Sequence, residues 1–123
     1  MKLRINGNAI RLRLNRSEIV IFGEHGLLEE KTEFINGITF VYALERKAGI
    51  DKLEASFQGN MIRVFVPEEI VNQWTTTDIV GYDDNMDIGN DCHLKLLIEK
   101  DFACLENSTE DQKDNFPNPN ALC

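Results

Sequence analysis

Shifted by 52 positions, the chain overlays its own beginning. Gly7-Asn8-Ala9-Ile10-Arg11-Leu12 falls on Gly59-Asn60-Met61-Ile62-Arg63-Val64, with Gly, Asn, Ile and Arg coincident. The apolar positions around it agree as well: Ile5 with Phe57, Leu14 with Val66, Ile19 with Val71, Phe22 with Trp74. A repeat constrains a fold more than any single segment, because both copies take one shape and cover each other's apolar faces. The expectation is a single domain over residues 1–105 made of two units, about 2–46 and 52–102, with a tail over 106–123.

Each unit reads β-β-α-β-β. In the first, Lys2–Ile5 and Ile10–Leu14 alternate charged and apolar residues, the period of a strand with one buried face. Asn6-Gly7-Asn8 between them tolerates positive φ and makes a hairpin. Asn15 with Glu18 three residues on forms a capping box, and Ile19, Val20 and Phe22 give the short helix its stripe. Gly23 and Gly26 end it. Strands follow at Leu28–Phe34 and Ile38–Glu45, joined by Asn36-Gly37. The second unit runs Lys52–Phe57, turns at Gln58-Gly59-Asn60 and returns as Met61–Val66. Pro67 suits the first helical position, Glu68 and Glu69 suit the positive end of the helix dipole, and Ile70, Val71 and Trp74 form the buried stripe. Strands at Ile79–Tyr82 and His93–Phe102 flank a polar loop, Asp83–Asp91. The fold class is α+β, mainly antiparallel β with two short helices in a pseudo-twofold arrangement.

With 123 residues, 42% of them apolar and 28% charged, the chain supports one sizeable core without disulfides or metals. The net charge of −8 disfavours nucleic acid, since neutralising phosphates takes a surplus of Lys and Arg. That charge is uneven. Lys2, Arg4, Arg11, Arg13 and Arg16 precede the first acid, whereas Glu99–Asp114 holds six acids against Lys100 and Lys113. The two ends can bind each other or a partner. No apolar run reaches the roughly 18 residues of a membrane span, and Met1 opens on alternating residues with no signal-peptide pattern. Cys92, Cys104 and Cys123 then read as reduced thiols of a cytoplasmic protein.

The stretch Gly59-Asn60-Met61-Ile62-Arg63-Val64-Phe65-Val66-Pro67-Glu68-Glu69-Ile70 resembles the swapped-hairpin domains of AbrB- and MazE-type bacterial proteins. Thr77-Asp78-Ile79-Val80 stands where those carry Gly-Asp-x-Val, and the first unit has Asn15 where they show Pro. The resemblance implies a fused pseudo-dimer in which each half gives two hairpins to one small barrel, as a monomer or weak homo-oligomer. The opening Met1–Ile5, Ile10–Leu14, Glu99-Lys100-Asp101-Phe102 and the Phe116-Pro117-Asn118-Pro119 tail are also similar to a family of short uncharacterised bacterial proteins, with no function attached.

Candidate sites are few. On the AbrB analogy Arg4, Arg11, Arg13 and Arg63 lie along DNA; the plainer reading is a solvent face satisfied by the acidic strand Glu29-Glu30-Lys31-Thr32-Glu33. The Asp83–Asp91 loop fails the EF-hand test, with Ile88 at the Gly position and Leu94 at the bidentate Glu position. Cys92, His93, Cys104 and His25 lack zinc spacings, and no cofactor is expected. Glu45 and Glu99 end equivalent strands, so a twofold relation can bring them together, or leave them on the rim. Trp74 reads as a core anchor. The tail, through Phe116, Pro117 and Pro119, can dock on another protein as an extended segment, stay solvated, or fold back on the basic hairpin. These features favour a non-enzymatic interaction or regulatory module, antitoxin-like, over a DNA-binding regulator or a small enzyme.

Overall fold

The computed structural model describes residues 1–102. Eight strands and two helices follow in the order β1 (Lys2–Ile5), β2 (Ala9–Leu14), α1 (Arg16–His25), β3 (Leu27–Glu33), β4 (Thr39–Lys47), β5 (Glu54–Gln58), β6 (Met61–Pro67), α2 (Glu68–Thr76), β7 (Gly81–Gly89) and β8 (Cys92–Lys100). The fold is α+β.

Local chemistry accounts for the breaks. Asn15 accepts from the Glu18 amide while the Glu18 carboxylate accepts from the Asn15 amide, so α1 begins at a complete capping box. Gly26, at φ 69°, ends α1 and donates to the Phe22 carbonyl. Gly23 does not end the helix as expected; it lies inside α1, where the second helix comes close. Asn36 and Gly37 both take positive φ in the turn between β3 and β4. Pro67 precedes α2 as its cap and closes β6.

The stretch Asp83–Asp91, expected as a loop, is mostly strand, because β7 runs through to Gly89 and turns only at Asn90-Asp91. Its acidic and amide side chains are compatible with a strand because, among the described residues, β7 pairs with β8 alone. Tyr82, Asp84 and Met86 turn partly inward, while Asp83, Asn85 and Asp87 stay in water.

Two four-stranded sheets result, ordered β1-β2-β8-β7 and β3-β4-β6-β5. Each takes one hairpin from the first half and one from the second. The hairpins are antiparallel, and the central pairs β2–β8 and β4–β6 are parallel. The registers of the two halves correspond. Arg4 opposes Arg11 as Ser56 opposes Arg63, and Leu27 opposes Glu45 as Gly81 opposes Glu99. No closed barrel forms. At the seams the sheets meet through side chains and not through a backbone ladder. The Met1 amino group reaches Glu18 and Glu30, and Tyr42 donates to the Met1 carbonyl at 2.7 Å. At the opposite seam the Leu53 amide donates to Asp84 at 3.0 Å.

The core lies between the sheets and under the helices. Leu12, Leu14, Leu96 and Ile98 face Leu44, Val64 and Val66, all excluded from water. Phe22 and Trp74, both 0% exposed, meet edge to face with centroids 6.2 Å apart where α1 crosses α2. The Trp74 indole donates to the Val80 carbonyl at 3.0 Å, which satisfies its buried polar atom. Trp74 is thus a core anchor. Both helices close one end of the sandwich. The four hairpin turns all lie at the other.

Candidate functional site

The open end follows from the register. Ile5 and Phe57 are the last inward-facing residues of β1 and β5, beyond the reach of either helix, and they remain 56% and 69% exposed. Below them the sheets splay around a cleft of 480 Å³. Ile10 and Ile62 form its floor, and Phe40, Met86 and Leu94 its walls. Among the described residues no charged side chain lines it. The turn between β3 and β4 adds Phe34, Ile35 and Ile38, with Ile35 79% exposed. A cleft of this size and lining has the dimensions of a ligand or side-chain pocket, and apolar groups gathered at one end mark an interaction surface more than scattered ones do.

The arginines divide. Arg4, Arg11 and Arg13 lie on the outer face of the first sheet with Lys2 and Lys95, whereas Arg63 lies on the outer face of the second. The four do not make one surface. The acidic strand expected to satisfy the first-hairpin arginines belongs to the other sheet. Carboxylates from β8 and the residue after it meet part of the hairpin's charge instead: Glu99 approaches Arg11 Nε at 3.6 Å, and Asp101 takes Lys2 Nζ at 2.8 Å. The hydrogen bond from Lys2 lowers the Asp101 pKa most; burial acts the other way, and the charges of Lys2 and Arg13 add to the lowering.

Glu45 and Glu99 do not converge. Each sits on its own sheet against the arginine of the opposite half, Glu45 with Arg63 at 3.7 Å and Glu99 with Arg11 at 3.6 Å. The duplication makes two equivalent ion pairs, not one carboxylate dyad. Arg63 is further held by Met61, whose sulfur accepts from Nη2 at 3.5 Å, while its buried Nε has no partner among the described residues. Among the described residues no group of three His, Cys, Asp or Glu side chains is placed to hold a metal. Cys92 is exposed, and His25 faces Glu24 on the surface of α1. No helix among the described residues is long and apolar enough to cross a membrane. Cys104, Phe116, Pro117 and Pro119 lie outside the described residues.

Fold and site together define a small α+β protein of two sheets that exchange hairpins, with an apolar mouth at the end away from its helices. The chain belongs to the family of unknown function DUF7009, whose model matches residues 1–120. No curated protein matches it, and no solved structure does.

Sequence reasoning missed the cleft. Ile5 and Phe57 were aligned with each other by the repeat, but their exposure depends on where the helices sit. Lys95 was missed as a companion of the arginines, since nothing local says that β8 lies beside β2.

Proposed function

We propose that this protein is a non-enzymatic protein-interaction module that receives an apolar segment of another protein in the cleft at its open end. The observation that carries the reading is the coincidence of an uncharged 480 Å³ cleft with Ile5 and Phe57 standing exposed at its mouth. Burying one such side chain against a partner is worth about 1.5–3 kcal/mol, and a few anchors of this kind dominate most interfaces. The exchange of hairpins between halves is what the AbrB- and MazE-type resemblance implies, and it supports reading the chain as a duplicated, single-chain pseudo-dimer. The antitoxin-like form of the proposal puts a regulated protein in the cleft.

The test is affinity purification with cross-linking from the organism's own cells. It compares the wild type, Phe57→Asp and a control on α2, Glu68→Gln. A partner held by wild type and control and lost by Phe57→Asp supports the reading. Equal recovery by Phe57→Asp, or no partner for the wild type, defeats it.

A further inference from the structure

We infer that the outer face of the β1–β2–β8 sheet carries a binding site for a small phosphate-type oxyanion, made by Arg4, Arg11 and Lys95 around Ala9. A recess of 210 Å³ lies there, with Ala9 and Leu97 at its base and Arg4, Asn6, Arg11 and Lys95 around it. Three cations and one amide thus converge on a concave spot, and among the described residues no carboxylate lines it. Arg4 and Arg11 are direct cross-strand partners, and Lys2 and Arg13 form a second like-charged pair on the same face. Like charges directly opposite each other weaken a hairpin. Glu99 meets Arg11 from the neighbouring row, at the Arg13 level. Among the described residues neither Arg4 nor Lys95 has a carboxylate partner.

The molecule contains its own control. The equivalent face of the second sheet has Ser56 for Arg4, Val41 for Lys95 and Met61 for Ala9, keeping only Arg63. There Met61 stands at the position of Ala9 and its sulfur accepts from Arg63 Nη2 at 3.5 Å. One scaffold therefore folds with one cation at these positions, so packing does not require three. The small Ala9 opens the recess and the two added cations charge it. The rim is held in place, because Asn8 donates to the His93 carbonyl at 2.6 Å and accepts from the Lys95 amide at 3.0 Å, tying the β1–β2 turn to β8.

The ligand class follows from charge and size. Guanidinium groups match tetrahedral oxyanions through paired N–H donors. A long polyanion is disfavoured, because Asp83 and Asp87 stand exposed on the same face one strand away and the chain carries −8. An inorganic phosphate or the phosphate of a small metabolite fits.

The experiment is a titration with inorganic phosphate at constant ionic strength, balanced with sodium chloride and followed by amide chemical shifts. Shifts confined to β1, β2 and β8 about Arg4, Ala9 and Lys95 are expected. Arg4→Gln with Lys95→Gln weakens binding at least tenfold, whereas Arg63→Gln leaves it unchanged. Arg4 and Lys95 are exposed and Arg63 is half-buried, and circular dichroism checks that each variant folds. A second arm repeats the titration with a phosphorylated sugar and with a short DNA duplex. Tighter binding of the sugar phosphate with the same localised shifts supports a metabolite as the source. A response no greater than chloride's, scattered shifts, an unaffected double variant or a loss in Arg63→Gln overturns the site. Preferred binding of the duplex, with shifts spreading onto β7, replaces it with a nucleic-acid surface.

Discussion

Replacing Gly23 with alanine sets two effects of known size against each other and reads out whether the helices cross as described. Gly23 sits inside α1, where alanine is worth about 1 kcal/mol over glycine through helix propensity alone. A Cβ built there lies 3.0 Å from Thr75 Oγ1 and 3.1 Å from Thr75 Cβ on α2. Thr75 cannot swing aside freely, because its hydroxyl donates to the Val71 carbonyl at 2.8 Å. Moving it forfeits that bond, about 1 kcal/mol, and overpacking of this kind costs about 1–3 kcal/mol. The clash outweighs the propensity gain, so Gly23→Ala destabilises by about 1 kcal/mol. In a Thr75→Gly background the three nearest atoms are gone, and the same Gly23→Ala change then stabilises by about 1 kcal/mol. The coupling between the two positions is therefore about 2 kcal/mol, within the range for residues in contact. Urea unfolding of the four proteins measures it. If Gly23→Ala stabilises equally in both backgrounds, the helices do not meet there and the packing of the closed end is wrong.

Gly81→Ala is expected to be far worse. Its Cβ falls 2.2 Å from the Ile98 carbonyl oxygen and 3.0 Å from Glu99 Cα, backbone atoms of β8 that β2 holds from the other side. A loss of at least about 3 kcal/mol is expected by thermal unfolding, and an unchanged melting temperature contradicts the close approach. Asp101 gives the pH prediction. Its folded pKa is depressed below 3.8, so its contribution to stability is present above pH 3.8 and disappears as pH falls through the lower folded value. Lys2→Met moves the Asp101 titration, followed by carboxyl carbon shifts, back towards 3.8; a titration that does not move rules out the Lys2 contact.

Much of the local structure was legible because it depends on short segments. Asn15 and Glu18 cap a helix wherever they occur three residues apart before an apolar stripe. Asn36-Gly37 makes a tight turn because both tolerate positive φ. Strict alternation in Ile10-Arg11-Leu12-Arg13-Leu14 dictates one wet and one dry face. The 52-residue offset placed Arg4 with Arg11 and Ser56 with Arg63 in equivalent registers. Period-2 reasoning failed at Asp83–Asp87, since polarity suggested a loop where an edge strand needs only one apolar partner face.

The sequence by itself determined the order of elements, their turns and caps, and which side of each strand is apolar; these rest on backbone dihedrals and periodicity within a few residues. The tertiary structure alone decided which hairpins share a sheet. Pairing β2 with β8 buries apolar faces contributed by residues some 85 positions apart, as the Asn8–His93 contact illustrates, and no local rule encodes that choice. From it follow the separation of Arg63 from the other arginines, the pairing of Glu99 with Arg11, the recruitment of Lys95, and the open end where Ile5 and Phe57 meet water. Each is a consequence of how two amphipathic halves cover one another.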